Sequence, residues 1–166
     1  YRAVREAGEW LRERWHHPVL VQGEGSRNEM LDRFAEHGQA VLVGTSSFWE
    51  GVDVRGQALR LVIIDKLPFA SPGDPVLEAR IRSLREAGRN PFMELQLPEA
   101  ILTLRQGVGR LIRDPQDRGL LVICDPRLKS KFYGRQVLAS LPAMPVLHDA
   151  AQALAWAHSL HPEHSA

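Results

Sequence analysis

Three polar side chains near the middle of the chain have the types and spacing to hold a polyphosphate. They belong to the segment QGVGRLIR, which covers residues 106–113. On a regular helix, at about 100° per residue, Gln106, Arg110 and Arg113 fall within a sector of about 60°, and Gly109 leaves room for a ligand. An arginine beside a γ-phosphate neutralises the charge that develops as the phosphoryl group leaves. The alternative is an exposed basic helix face that pairs with the aspartates that follow it.

A second polar segment, GTSSFWEGVD over residues 44–53, directly follows an apolar strand signal. Small hydroxyl residues and backbone N–H groups at a strand end can contact the phosphates of a nucleic-acid backbone. Asp53, which follows the flexible Gly51, can accept a hydrogen bond from a ribose hydroxyl. The alternative is purely structural, because Ser47 and Glu50 also form a capping box for a short helix, with the tryptophan between them in the core.

A third segment, KLPFASPGDP over residues 66–75, follows the most apolar strand signal of the chain. Lys66 can meet a phosphate, and Phe69 can stack on a base. The alternative is a rigid turn from strand to helix in which Phe69 fills the core.

These segments need a scaffold, and the hydrophobic pattern predicts one in which strands and helices alternate. Strands are expected at 19–21, 40–43, 59–65, 119–124 and 146–147, and helices at 2–15, 26–37, 75–88, 94–107, 130–140 and 149–160. Ser26 with Glu29 predicts a capping box, and Gly38 a helix end. The apolar strands indicate a parallel α/β sheet, in which ligands bind at the carboxyl ends of the strands.

Composition excludes several classes of protein. The chain has 166 residues, the size of one domain, and 44% hydrophobic residues, enough for a packed core. It has no apolar run that could span a membrane and no signal-peptide pattern, and its single cysteine, Cys124, forms no internal disulfide or metal cage. A cytoplasmic location is therefore expected. The chain begins at Tyr1 rather than Met, and we expect it to be a piece of a longer protein.

Charge is unevenly distributed despite a net charge of only +1. Arginine accounts for 18 of the 21 Lys and Arg residues, and it grips phosphate bidentately where lysine does not. Segment 105–135 carries a net charge of +5. Such a local basic field suits nucleic acid, although it is also typical of a solvated face.

Together the three segments resemble a known family. G-T-S-S-F-W-E-G-V-D (44–53), D-K-L-P-F-A-S-P-G-D-P (65–75) and Q-G-V-G-R-L-I-R (106–113), followed by D-R-G (117–119), are similar to motif V, the loop after the next strand, and motif VI of the DinG/XPD-type helicases of superfamily 2. The resemblance is closer to the bacterial branch, DinG and YoaA. It covers residues from about 1 to 160, with the motifs in the expected order and spacing.

The resemblance implies the second RecA-like motor domain of an ATP-dependent DNA helicase, a three-layer α/β/α fold with a mainly parallel sheet. In this family ATP lies between two RecA-like domains, single-stranded DNA crosses both, and hydrolysis drives 5′→3′ movement in DNA repair and replication. Residues 1–160 are expected to form this domain, and 161–166 a flexible tail.

Residue roles follow by position in the motifs. Arg110 and Arg113 match the two arginines that face the ATP phosphates, and Gln106 matches the glutamine beside them. The other residues expected at the nucleotide are Glu50, Gly51, Asp53 and Gly109. The residues expected at the DNA are Thr45, Ser46 and Lys66.

The chain has no G-x-x-x-x-G-K-[ST] phosphate loop and no Asp-Glu box for magnesium. In this family both belong to the first motor domain, so ATP and Mg²⁺ are expected to bind mainly there, and this chain alone is not expected to hydrolyse ATP. A 4Fe-4S cluster, where members have one, also lies in that first half, and no metal site is expected here. The expected partners are single-stranded DNA, that N-terminal motor domain and a replication or repair protein, with no membrane.

The sequence is also compatible with two other functions. One is an RNA helicase of the same superfamily, although the K-L-P-F loop favours the DNA branch. The other is a non-catalytic RecA-like module that binds nucleic acid or docks to a protein. A phosphate loop upstream of Tyr1 in the parent gene would argue against the second.

Overall fold

The computed structural model describes residues 2–48, 59–71, 73–112 and 117–160. In these ranges, two pairs of strands form two small parallel sheets. The first sheet pairs β1 (Val19–Val21) with β2 (Val41–Val43). The second pairs β3 (Leu61–Ile64) with β4 (Leu120–Ile123). Parallel strands separated by helices confirm the predicted α/β class.

Helices connect the strands of each pair. The α-helices of the described ranges are α1 (Arg2–Arg12), α2 (Arg27–His37), α3 (Pro75–Glu86), α4 (Leu97–Val108), α5 (Arg127–Ser130), α6 (Gly134–Ala139) and α7 (Ala150–Ser159). A 3₁₀ turn covers Ser46–Phe48, and a π-helical turn, Phe92–Gln96, leads directly into α4. Helix α2 therefore crosses between β1 and β2, whereas α3 and α4 both lie between β3 and β4.

Local sequence signals explain several helix ends. The Ser26 hydroxyl accepts a hydrogen bond from the Glu29 amide at 3.3 Å, which confirms the predicted N-cap. Gly38 ends α2 with φ +68°, a conformation that glycine adopts without strain. At α3 the Asp74 carboxylate accepts from the Val76 and Leu77 amides, with Pro75 at the first helical position.

Each sheet packs against its own cluster of buried side chains. The cluster at the first sheet contains Leu20, Met30, Phe34 and Phe48. The cluster at the second contains Ile64, Leu67, Leu97, Leu104, Val108, Tyr133 and Val137. Leu97, Leu104 and Val108 are completely buried, so α4 is the helix that anchors the second sheet.

Three predicted elements differ from the structure. The helix expected at 130–140 is two short helices, because the backbone is extended at Lys131 and a Cβ on Gly134 would lie 2.0 Å from the Leu128 carbonyl oxygen. The helix expected at 94–107 begins as a π-helical turn. The strand expected at 146–147 is irregular backbone.

Strand β3 is also less covered than its apolar sequence predicts. Ile64 is buried, whereas Leu61 and Ile63 are 46% and 62% exposed. The exposed and buried positions alternate as they do in a strand with one covered face, so the prediction of burial on both faces is wrong for this strand.

Within the described ranges, no helix has the length and apolar content that a membrane span requires. The expected tail at 161–166 lies outside the described residues.

Candidate functional site

The loops that leave β3 and β4 lie side by side at the carboxyl end of the second sheet. Ile64 pairs with Ile123, and the Cys124 amide donates to the Ile64 carbonyl at 2.8 Å. One step further, the Leu67 amide donates to the Asp125 carboxylate at 2.7 Å. The predicted site residue Lys66 is therefore held next to the start of α5, with its side chain exposed.

Asp125 is the buried anchor of this arrangement. Its side chain is 2% exposed and accepts hydrogen bonds from the Arg127 guanidinium, at 2.6 Å from Nη2, and from the Arg127 amide, at 2.9 Å. The Arg127 guanidinium, followed by the Leu67 amide, holds the pKa of the Asp125 carboxyl well below its usual range. The carboxylate stays ionised at neutral pH and links the two loops.

An aromatic cluster packs beside this ion pair. The Arg127 guanidinium lies 5.0 Å from the centre of the Phe69 ring. Phe69 in turn stacks on Phe92 at 5.8 Å and meets Tyr133 edge-on at 5.9 Å. Phe69 is half-buried against the core cluster, so the structure favours its packing role over the alternative of stacking on a base.

The motif around Arg110 does not continue as a helix. Helix α4 ends at Val108, and the Arg110 amide donates to the Gly107 carbonyl in a tighter turn, at 3.2 Å. Leu111 is then buried in space that Gly119 leaves, because a Cβ on Gly119 would lie 2.5 Å from Leu111 Cδ1. The regular helix on which Gln106, Arg110 and Arg113 were expected to share a face therefore ends at Val108, and Arg110 lies in the turn beyond it.

Two of those three side chains are described. Gln106 is exposed on the last turn of α4, and Arg110 is half-buried in the turn that follows. Gly109 is exposed, and a Cβ there would lie 3.2 Å from the Arg105 carbonyl oxygen. Arg113 lies outside the described residues, so its predicted position beside them stays a prediction.

The loop after β2 is tied to the end of β1. The Gln22 side-chain oxygen accepts from the Thr45 amide at 2.7 Å and lies 3.1 Å from the Thr45 hydroxyl, which is 2.8 Å from the Ser47 hydroxyl. Thr45, just before the 3₁₀ turn, and Ser46, its first residue, are both half-buried. A phosphate that took the Thr45 amide as a donor would have to displace Gln22.

Several predictions fall outside the described residues. They are the nucleotide-site residues Glu50, Gly51 and Asp53, together with the alternative capping box that includes Glu50.

Sequence reasoning missed two side chains that organise these loops, Gln22 and Asp125. Gln22 directly follows β1, and Asp125 lies two residues after β4. Both therefore lie at the sheet end where ligands bind. A signal was present for Asp125, since an aspartate two residues before an arginine can form this bidentate pair. No group of three or more His, Cys, Asp or Glu side chains suited to a metal occurs in the described part of the chain.

Comparison with known proteins gives a consistent result. The family model described as "Helicase C-terminal domain" matches residues 1–144. The chain is 57% identical over 151 residues to "ATP-dependent DNA helicase YoaA" of Escherichia coli, which is 91% of this chain and 24% of that protein. It is 45% identical over 141 residues to "ATP-dependent helicase DinG" of Mycobacterium tuberculosis, with 85% and 21% covered.

A third relative carries a different activity in its name. The "3'-5' exonuclease DinG" of Bacillus subtilis is 45% identical over 130 residues, covering 77% of this chain and 14% of that protein. The chain therefore spans a quarter or less of the length of these relatives, and their names describe much larger proteins.

Proposed function

The chain belongs to the helicase C-terminal domain family, and from that premise we propose that it is the second motor domain of an ATP-dependent DNA helicase. The parent protein moves 5′→3′ on single-stranded DNA and acts in DNA repair and replication. The observation that carries the proposal is the 57% identity, over 91% of the chain, to a relative named as an ATP-dependent DNA helicase. The same relative supports assignment to the YoaA and DinG branch.

In this proposal the last turn of α4 and the residues that follow it deliver groups to the phosphates of ATP. Arg110 and Arg113 neutralise negative charge as the γ-phosphate leaves, and Gln106 binds beside them. Burial of Leu104 and Val108 supports this role, because a rigidly packed helix end holds a guanidinium in place without reorganisation. Gly109 lets the nucleotide approach the backbone.

The other contacts of the proposal come from the loops after β2 and β3. Glu50, Gly51 and Asp53 lie at the nucleotide, with Asp53 at the ribose. Thr45, Ser46 and Lys66 contact the DNA backbone. The exposed ammonium of Lys66 supports its part, since it follows a strand at the end of the sheet where ligands bind.

Catalysis requires a second domain. The chain has no phosphate loop and no Asp-Glu box, so ATP and Mg²⁺ are held mainly by the N-terminal motor domain of the parent protein. This chain binds ATP through its arginines and does not hydrolyse it alone. Any 4Fe-4S cluster belongs to that first half.

The proposal is tested in the full-length protein by Arg110→Ala and Arg113→Ala. Each variant should lower DNA-stimulated ATP hydrolysis by about 10³-fold or more, with thermal unfolding unchanged, because the charge on the departing phosphate is left uncompensated. Arg33→Ala, at an exposed position of α2, is the matched control and should keep full activity.

Near-normal ATP turnover in the Arg110 and Arg113 variants would contradict the assignment. Stimulation by RNA in place of DNA would favour the RNA helicase. A full-length wild-type protein without ATPase activity would favour a non-catalytic module.

A further inference from the structure

Phe132 is an aromatic ring held out in solvent. It is 75% exposed, the highest value among the large hydrophobic side chains of the described residues. Two aromatic neighbours contact the ring edge-on, the buried Tyr133 at 5.4 Å and the half-buried Phe92 at 6.4 Å. Tyr133 is itself 6% exposed and belongs to the core cluster. The ring therefore packs on a buried core residue, and its exposed face is accessible to a flat ligand.

The chain around Phe132 is entirely basic. Residues 126–148 contain no Asp or Glu. Their Lys and Arg residues are Arg127, Lys129, Lys131 and Arg135. Arg127 forms an ion pair with Asp125. The remaining three are exposed, and none of them makes a side-chain ion pair or hydrogen bond within the part of the chain that the structure describes.

The fold adds a fourth cation at the same end of the sheet. The hydrogen bond from the Leu67 amide to Asp125 fixes Lys66 beside the start of α5. All three lysines of this arginine-rich chain, Lys66, Lys129 and Lys131, follow the carboxyl ends of β3 and β4. An ammonium group suits a phosphate whose position varies along a flexible strand, because it acts as a point charge without a fixed fork.

We propose that Phe132, together with Lys129, Lys131 and Arg135, which lie within three residues of it in the sequence, is a base-stacking site for single-stranded DNA. The ring stacks on one base, and the three cations contact the phosphates on either side. This inference rests on the proposed function and adds a site to it. Unpaired bases are the favoured ligand because each has an open π-face, whereas the faces of bases in a duplex are already stacked. The site has no sequence preference, since every base offers such a face.

The test measures binding of a fluorescent oligothymidine to the full-length protein by anisotropy. Phe132→Ala should weaken binding about 5- to 150-fold, the loss expected from one base–aromatic stack. Phe132→Trp should restore it, and Phe132→Leu should not, since the ring rather than its apolar area is required. Because Phe132 is exposed, thermal unfolding of all three variants should match that of the wild type.

A strand with abasic sites separates stacking from phosphate contacts. On that strand, wild type and Phe132→Ala should bind equally. The double variant Lys129→Gln/Lys131→Gln should instead lower the slope of log affinity against log salt by about 1.4, as expected for the loss of two phosphate contacts on single-stranded DNA. Phe132→Ala should leave that slope unchanged, and so should Arg33→Gln on α2.

Normal oligothymidine binding by Phe132→Ala would overturn the stacking site. If its ATP hydrolysis is still stimulated by DNA, the proposed function stands without it. Tighter, Phe132-dependent binding to duplex DNA or to anionic phospholipid vesicles would also overturn the site. A wild-type protein that binds no single-stranded DNA would overturn both the site and the proposed function.

Discussion

Asp125 satisfies hydrogen-bond donors from two loops with one buried carboxylate. The Leu67 amide and the Arg127 amide and guanidinium all donate to it. A charge with 2% of its side chain exposed is tolerated only when it is paired in this way. The pair therefore does more for the shape of the loops than for net stability, because desolvation offsets much of the attraction.

Asp125→Asn tests this role. The amide oxygen can still accept from Leu67, but the charged acceptor of Arg127 is lost, so we expect the free energy of unfolding to fall by about 1–3 kcal/mol at pH 7. Urea unfolding of the chain measures it, with Asp32→Asn at an exposed position of α2 as the control.

The difference between wild type and Asp125→Asn should also depend on pH. The folded pKa of Asp125 is depressed, so its stabilising effect is complete above the pKa of the unfolded chain, near 4, and is lost as the pH falls toward the folded pKa. Wild type should therefore lose its advantage between about pH 5 and pH 2. An advantage as large at pH 3 as at pH 7 would contradict the assigned shift.

Helices α5 and α6 are placed by a contact that only glycine allows. A Cβ on Gly134 would lie 2.0 Å from the Leu128 carbonyl oxygen, and that neighbour is backbone, which cannot rotate away. The close approach sets the turn that carries Phe132 between the two helices. The break between α5 and α6 is thus fixed by packing rather than by helix propensity.

Gly134→Ala should destabilise the chain by about 1–3 kcal/mol, the cost of overpacking a site that must shift to make room. Gly25→Ala is the matched control, because the nearest atom to a Cβ there is a side-chain oxygen at 3.7 Å. Thermal unfolding of the two variants measures the difference. Equal midpoints would show that the turn can relax without cost.

Features that depend on neighbouring residues in the sequence could be predicted, whereas features that depend on contacts between distant residues could not. The cap at Ser26 and the end of α2 at Gly38 were predictable because they depend on residues within one turn. The helix predicted at 94–107 also ends where expected, within one residue, at Val108. The turn after it was not predictable, since Leu111 there fills the space at Gly119, a partner that no local pattern reveals. Residue types are enough to identify the motif, but they do not determine the backbone geometry after Val108.

For the molecule as a whole, the chain spans about a quarter of the length of the Escherichia coli relative named as a DNA helicase. Its near-neutral net charge hides a basic segment at 105–135 with a net charge of +5. Electrostatic binding depends on this local field more than on the total, because screening limits its range to about 10 Å.

The isolated chain should bind single-stranded DNA weakly and lose this binding steeply as salt rises from about 50 to 200 mM, because counterion release supplies most of the free energy. It should hydrolyse no ATP above background. Anisotropy over that salt range and a phosphate-release assay measure the two properties. Binding that ignores salt, or that prefers duplex DNA, would count against a DNA track on this domain.

The shared carboxylate of Asp125 also has a mechanical consequence. Leu67 and Arg127 are fastened to the same group, so the loop after β3 and the start of α5 cannot slide past each other without breaking a short hydrogen bond. A pull applied at Lys66 is passed through Asp125 to the segment that holds Phe132. The two loops at the end of the second sheet should therefore move as one unit rather than independently.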